Sequence, residues 1–177
     1  MGLRVLVLGL LTWTVGGPAP AQVQAVPRPT DRAGLLQVAR RIVERSRYAA
    51  LITVDSTGAP QARTVDPLPP DSGFVVWIGT NPRTRKVAEI RRQPAVALYW
   101  FDPAVNGYVT LRGEASLVND PAEKMRRWKP EWRAFYPDPI RDFLLIRVKP
   151  VRLEIVSPTD GVTGDSVTWR PPAVRWP

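Results

Sequence analysis

Beyond residue 30 the apolar residues change spacing from element to element. Leu35, Val38, Ala39, Ile42 and Val43 follow the i, i+3, i+4, i+7, i+8 spacing of a helix with one buried face, and Arg40, Arg41, Glu44 and Arg45 fall on its wet side. Thr30 or Asp31 can cap this helix, which is predicted to end near Arg47. The period then drops to that of strands. Ala49–Val54 and Gln61–Val65 flank turn chemistry at Asp55-Ser56-Thr57-Gly58-Ala59-Pro60 and read as a hairpin. The prolines at 67, 69 and 70 make Asp66–Ser72 a loop. Further strands are predicted over Phe74–Ile78, Ala95–Phe101, Tyr108–Leu117, Phe143–Val148 and Val151–Val156, with a last short one at Val167–Arg170. Helices are predicted over Pro82–Arg92, capped by Asn81 with Val87, Ala88 and Ile90 inward, and over Pro121–Trp128, capped by Asp120. Hairpin-length links joining most strands favour a mainly β fold with some α (α+β). An antiparallel barrel or sandwich with peripheral helices fits better than a parallel doubly wound sheet.

The first residues follow another pattern. Met1–Arg4 carries one positive charge, Val5–Val15 is apolar except for Thr12 and Thr14, and Gly16-Gly17-Pro18 precedes a small-x-small site at Ala19-Pro20-Ala21. This reads as a secretory signal peptide over residues 1–21, followed by a flexible leader over 22–30 and one domain over 31–177. As an uncleaved anchor the run falls short of the ~20 residues a membrane span needs. A secreted or periplasmic protein with no stable span after cleavage is the expectation.

Composition removes several chemistries. The 177 residues include no His and no Cys. Disulfides, thiolate or imidazole metal sites, Ser-His-Asp triads and His acid/base catalysis are therefore impossible. No metal site and no catalytic side chain is assigned, and an enzyme built from this chain needs a cofactor to carry the reactivity. Without residues 1–21, which hold Arg4 and no acid, 24 basic and 16 acidic residues remain, a charge of +8. Basic surfaces suit nucleic acid, anionic membranes or phosphorylated ligands, but no nucleic-acid motif and no long basic amphipathic helix is present. The aromatic stretch from Trp128 to Pro137 reads first as core over one end of the barrel, and second as cleft lining or a subunit contact.

The segment richest in chemistry is Gly79-Thr80-Asn81-Pro82-Arg83-Thr84-Arg85-Lys86. Cations in the first turn of a helix oppose its dipole by roughly 0.3–1 kcal/mol each. A bound anion reverses that sign, and free backbone N–H groups, the Thr80 and Thr84 hydroxyls, Arg85 and Lys86 all suit a phosphate. The alternative is a solvated basic turn. Arg63 belongs with the same question. If Ala62 and Thr64 face one way along their strand, Arg63 and Val65 face the other, and an inward Arg is costly unless paired.

In order, Arg63-Thr64-Val65, Gly79-Thr80-Asn81, Thr84-Arg85-Lys86, Ile90, Gln93-Pro94-Ala95-Val96-Ala97-Leu98 and Val109-Thr110-Leu111-Arg112-Gly113-Glu114-Ala115 resemble the pyridoxamine 5'-phosphate oxidase-like, FMN-binding split-barrel superfamily. The likeness runs over roughly residues 35–157 and lies nearest the general stress protein branch. It implies a six-stranded antiparallel split β-barrel that forms a homodimer, with FMN between subunits. By position, Arg63, Arg85 and Lys86 hold the phosphate, with Thr84 in place of the family's Ser and Thr80 nearby. The backbone at Thr64 and Val65 lies along the flavin ring, Tyr108 stands where the oxidases often place a Gln, and Trp169, or else Trp176, reaches the partner's flavin. Deazaflavin or haem replaces FMN in some relatives, and haem here needs an axial ligand other than His.

The strand after Arg63 departs from the oxidases, running Asp66-Pro67-Leu68-Pro69-Pro70, and no segment matches their grip on a vitamin B6 phosphate. The resemblance therefore implies an FMN-dependent oxidoreductase for another small substrate, or a non-catalytic flavin-binding stress protein.

Overall fold

The computed structural model describes residues 29–177. The predicted signal peptide and most of the leader lie outside the described residues. The order is α1 (Arg32–Ser46), β1 (Ala49–Val54), β2 (Pro60–Val65), β3 (Val76–Thr80), α2 (Arg85–Arg92), β4 (Ala95–Asp102), β5 (Gly107–Val118), α3 (Pro121–Arg126), β6 (Leu144–Val156) and β7 (Ala173–Arg175), with 3-10 turns at Pro130–Ala134 and Pro158–Asp160. The strands form one antiparallel sheet in the order β2-β1-β4-β5-β6-β3, with β7 added to β6. The two ends of that path meet at one point, where Pro67 bridges Ile78 and the Leu68 N–H donates to the Trp77 carbonyl at 2.8 Å. This is a split barrel: an open sheet curled until its edges touch.

Two apolar clusters explain the sequence pattern. The barrel core gathers Leu51, Val76, Ile78, Leu98, Trp100, Leu111, Ile146 and Ile155. The buried face of α1 (Leu35, Val38, Ala39, Ile42 and Val43) packs onto β4 and β5. Burial of each such large side chain contributes roughly 1.5–3 kcal/mol. A second cluster of Trp77, Trp132, Phe143 and Leu145 covers the outside of β3 and β6, with Trp128 and Tyr136 against it. β3 and the start of β6 are thus buried on both faces, which is why their sequence is nearly continuously apolar rather than alternating.

Several boundaries differ from the sequence reading. The two strands expected around Pro150 are one, β6. The register slips between Arg112 and Gly113, so Pro150 pairs with Gly113, Arg152 pairs with Arg112, and Val151 is left over as a bulge. The bulge absorbs the missing proline N–H, and Gly113 is required there because a Cβ would lie 2.4 Å from the Lys149 carbonyl oxygen. The strand predicted at Val167–Arg170 is instead a turn, since the Asp165 carboxylate takes the N–H groups of Val167 and Thr168; the last strand is Ala173–Arg175. β3 begins at Val76, because an Asp71 turn holds Phe74 at φ 65° and accepts the Val75 N–H. α3 ends at Arg126, short of Trp128.

Candidate functional site

The anion-site segment folds in two steps. Asn81 to Thr84 form a turn with Pro82 second, closed by the Thr84 N–H to the Asn81 carbonyl at 3.1 Å, while the Asn81 side chain accepts the Arg83 N–H. The N-cap of α2 is therefore Thr84 rather than Asn81, and Arg83 lies outside the helix, paired with Asp142 at 3.0 Å. Thr84 does not cap with its side chain. Its hydroxyl donates back to the Asn81 carbonyl at 2.9 Å and sits 3.2 Å from the Thr80 hydroxyl. The first turn of α2 holds Arg85 and Lys86, no acid and no side-chain cap, so backbone donors and two cations gather at the positive end of the dipole.

The inward face of α2 carries Val87, Glu89 and Ile90, while Ala88, expected inward, is exposed. Glu89 organises the site and was not singled out from sequence. It is 3% exposed and accepts from the Thr53 hydroxyl at 2.5 Å and from Arg63 Nη2 at 2.8 Å, and Arg85 Nε stands 3.1 Å from its other oxygen. Arg63 faces inward, in register with Leu51, and also donates to the Thr53 hydroxyl. Burial pushes the Glu89 carboxyl up, but the Thr53 hydrogen bond and the charges of Arg63 and Arg85 outweigh it and hold the group below the usual carboxylate range. Burial, then the neighbouring Arg63 charge, lower the Lys86 ammonium from its ordinary value, with Glu89 opposing. Arg63, Arg85 and Lys86 face one carboxylate, which leaves two positive charges in surplus.

Beside this cluster lies a cleft of about 420 Å³. Of the residues read from sequence, Thr64, Val65, Thr80, Thr84 and Lys86 line it. Arg63 and Arg85 stand next to it on Glu89 rather than on its surface. Tyr108 does not line it. It sits on the outer face of β5, three strands from Thr64, with its ring 5.7 Å from that of Tyr99. Trp169 is 83% exposed at a left-handed φ of 58° and touches no part of the cleft, and Trp176 packs on Phe74. Among the described residues, no group of acidic side chains could hold a metal ion.

The rest of the cleft was not legible one residue at a time. Arg47 and Tyr48 line it just after α1, where Arg47 takes a strained left-handed φ of 54° and pairs with Asp66. Trp132, Phe135 and Tyr136 form the opposite wall. The aromatic stretch thus serves as both core and lining, because the 3-10 turn puts Trp132 into the second cluster with one edge towards the cleft.

A twisted antiparallel sheet closed at one bridge, with a cationic helix start beside an aromatic cleft, defines a split-barrel protein. The sequence matches the model of the pyridoxamine 5'-phosphate oxidase family over residues 35–157, and the chain belongs to that family. Its fold is similar to that of General Stress Protein 26 from Bacillus anthracis str. Sterne (20% identity, 79% of this chain and 97% of that chain, TM-score 0.63). It is also similar to a pyridoxamine 5'-phosphate oxidase-related, FMN binding protein from Nostoc punctiforme PCC 73102 (17% identity, 82% and 96%, TM-score 0.60). A third similar structure is an F420 reductase (25% identity, 64% and 94%, TM-score 0.53). No curated protein matches the chain.

Proposed function

We propose that the chain binds FMN in this cleft and acts as a flavin-dependent oxidoreductase on a small substrate. One observation carries the reading: three cations that share one buried carboxylate, a local surplus of two charges, meet an uncapped helix start at one end of an aromatic-walled cleft whose other charged lining residues are Arg47, Asp66 and Glu131. A phosphomonoester brings up to two negative charges and three strong acceptors, which matches that surplus. Lys86 and the first N–H groups of α2 would hold the phosphate, with the Thr80 and Thr84 hydroxyls beside it. Arg63 and Arg85, fixed by Glu89, keep the potential positive. The backbone of Thr64 and Val65 and the rings of Tyr48, Trp132 and Tyr136 border the space left for the ring system. When bound, FMN supplies hydride or one-electron chemistry, so the absence of His and Cys is no obstacle. The 25% identity to an F420 reductase makes a deazaflavin the second candidate cofactor; haem is disfavoured by the lack of any His or Cys ligand.

The cleft also supports a homodimer. Thr64 pairs with Ala50, which pairs with Tyr99, so the cleft edge runs into the outer sheet face that exposes Tyr99 and Phe101. A second copy on this face would cover those rings and bring its own Tyr108 or Trp169 towards the cofactor. We infer from the N-terminal sequence pattern that the mature protein works outside the cytoplasm; among the described residues no helix is long and apolar enough to cross a membrane.

The test is an absorbance spectrum of the purified protein after FMN is added and the excess removed. A flavin spectrum bleached by a reductant and restored by a substrate supports the oxidoreductase. Bound flavin that no reductant reaches supports the stress-protein alternative, and a colourless protein that takes up no FMN contradicts both.

A further inference from the structure

A second cavity, of about 170 Å³, lies between α3 and the chain around Ile140 and shares no lining residue with the flavin cleft. Pro121, Met125, Trp128, Ile140 and Phe143 give it apolar walls, and Lys124 supplies its one charge. Trp128 and Phe143 meet edge-on with ring centroids 5.1 Å apart, and the Met125 and Ile140 side chains stand exposed at the rim.

Lys124 is the unusual member. It is 6% exposed, a degree of burial that lysine rarely reaches unless paired. Its ammonium donates to Asn119 Oδ1 at 3.1 Å and to the Ile140 carbonyl at 2.8 Å, both neutral acceptors, and stands 5.9 Å from the centre of the Phe143 ring, a distance at which a cation–π contact is weak; its third N–H has no hydrogen-bond acceptor among the described residues. Among the described residues no carboxylate forms an ion pair with it. Asp138, the carboxylate whose charge reaches it, makes no ion pair with it and accepts the N–H groups of Ile140 and Arg141 on Oδ1. Burial lowers the ammonium from its ordinary value, and the Asp138 charge only partly opposes this. Tying α3 to the following loop needs hydrogen-bond donors but no charge. The charge is therefore a cost that the latch does not explain.

We propose that this cavity is a binding site for a small arene monocarboxylate, with the ring among Met125, Trp128 and Ile140 and the carboxylate on the free N–H of Lys124. The size suits a single ring, since an apolar cavity of about 150 Å³ holds benzene. The walls suit it too, because thioether and aromatic edges both favour an arene. The anion supplies the missing counter-charge. Nothing in this proposal depends on the flavin reading.

Benzoate is the probe, with benzamide as its uncharged isostere, titrated into the full chain. Met125 is the only methionine besides Met1, so a methyl-13C methionine label reports on the cavity rim directly. Benzoate is expected to shift the Met125 resonance saturably and to bind about tenfold tighter than benzamide, the ratio one charge-assisted contact supports. Lys124→Met, which keeps the apolar bulk, is expected to remove that preference. Equal binding of the two probes to the unaltered protein, or no saturable shift of Met125, overturns the proposal even if the variant fails to fold. A retained benzoate preference in a folded Lys124→Met variant overturns it as well.

Discussion

Arg63 Nη2 lies 2.8 Å from Glu89 Oε2, across 26 residues of chain and from a strand to a helix. The pair fixes α2 to the barrel and orients the cationic cluster. Its members should separate by experiment. Arg63→Met leaves a buried carboxylate short of its guanidinium and is expected to cost on the order of 3 kcal/mol of stability, read from urea unfolding. Lys86→Met removes a half-buried ammonium with no ion pair among the described residues, so stability should be unchanged or higher. Lys86→Met should weaken FMN binding by ~1–3 kcal/mol through a lost charge-assisted contact, and Arg63→Met by less, through the potential alone, both measured by fluorescence titration. Intact affinity in Lys86→Met would remove that residue from the site.

Glu89 also sets an acid limit. Its carboxyl is held below the ordinary value of 4.5 in the folded protein. The folded state therefore gains stability from ionised Glu89 above that value and loses it as pH falls through the lower folded one. Unfolding midpoints measured between neutral pH and pH 3 should show the unaltered protein losing ground towards Glu89→Gln as acid is added. A constant gap between the two would contradict the assignment.

Gly79 lines the cleft where β3 passes beneath the aromatic wall. A Cβ there would lie 2.8 Å from Phe143 Cε2 and 3.0 Å from the Trp132 ring. Gly79→Ala is expected to cost about 1–3 kcal/mol by overpacking and to weaken FMN binding by displacing Trp132. Thermal melts and the same titration check both effects, and an unchanged melting temperature would show that the wall yields freely.

Trp169 gives the complementary case. Its ring is 83% exposed on a turn closed by Asp165. Trp169→Ala should leave stability within about 0.5 kcal/mol, as exposed substitutions do. If two copies share the cofactor, it should still weaken FMN binding in the dimer fraction from size-exclusion chromatography. Unchanged affinity there would remove Trp169 from the site.

The parts of the fold that sequence made legible are those with a local cause. The spacing of Leu35 to Val43 and the Asp31 cap defined α1, and Asp120 capped α3 as expected. Alternation along β2 put Arg63 and Val65 on one face but left open whether that face was the inward one; the register with buried Leu51 decides it. What stayed hidden depends on tertiary partners. Pro150 looked like a strand break because nothing in its neighbourhood announces that Gly113, from another strand, makes room for a bulge. Glu89 is not legible because a single acid on a basic helix resembles ordinary surface charge; only its i+4 distance from Arg85 sets it apart. Arg47 and Tyr48 join the cleft through a backbone turn that no spacing rule anticipates.

The central claim is that the cationic cluster and the start of α2 bind a phosphate. It is tested most directly by comparing FMN with riboflavin, which has the same ring system and no phosphate, in equilibrium titrations of the same protein. FMN is expected to bind at least about a hundredfold more tightly, because two or more charge-assisted contacts are lost with the phosphate, and that advantage should shrink as salt is raised. Equal affinities for the two flavins at low salt would contradict the account.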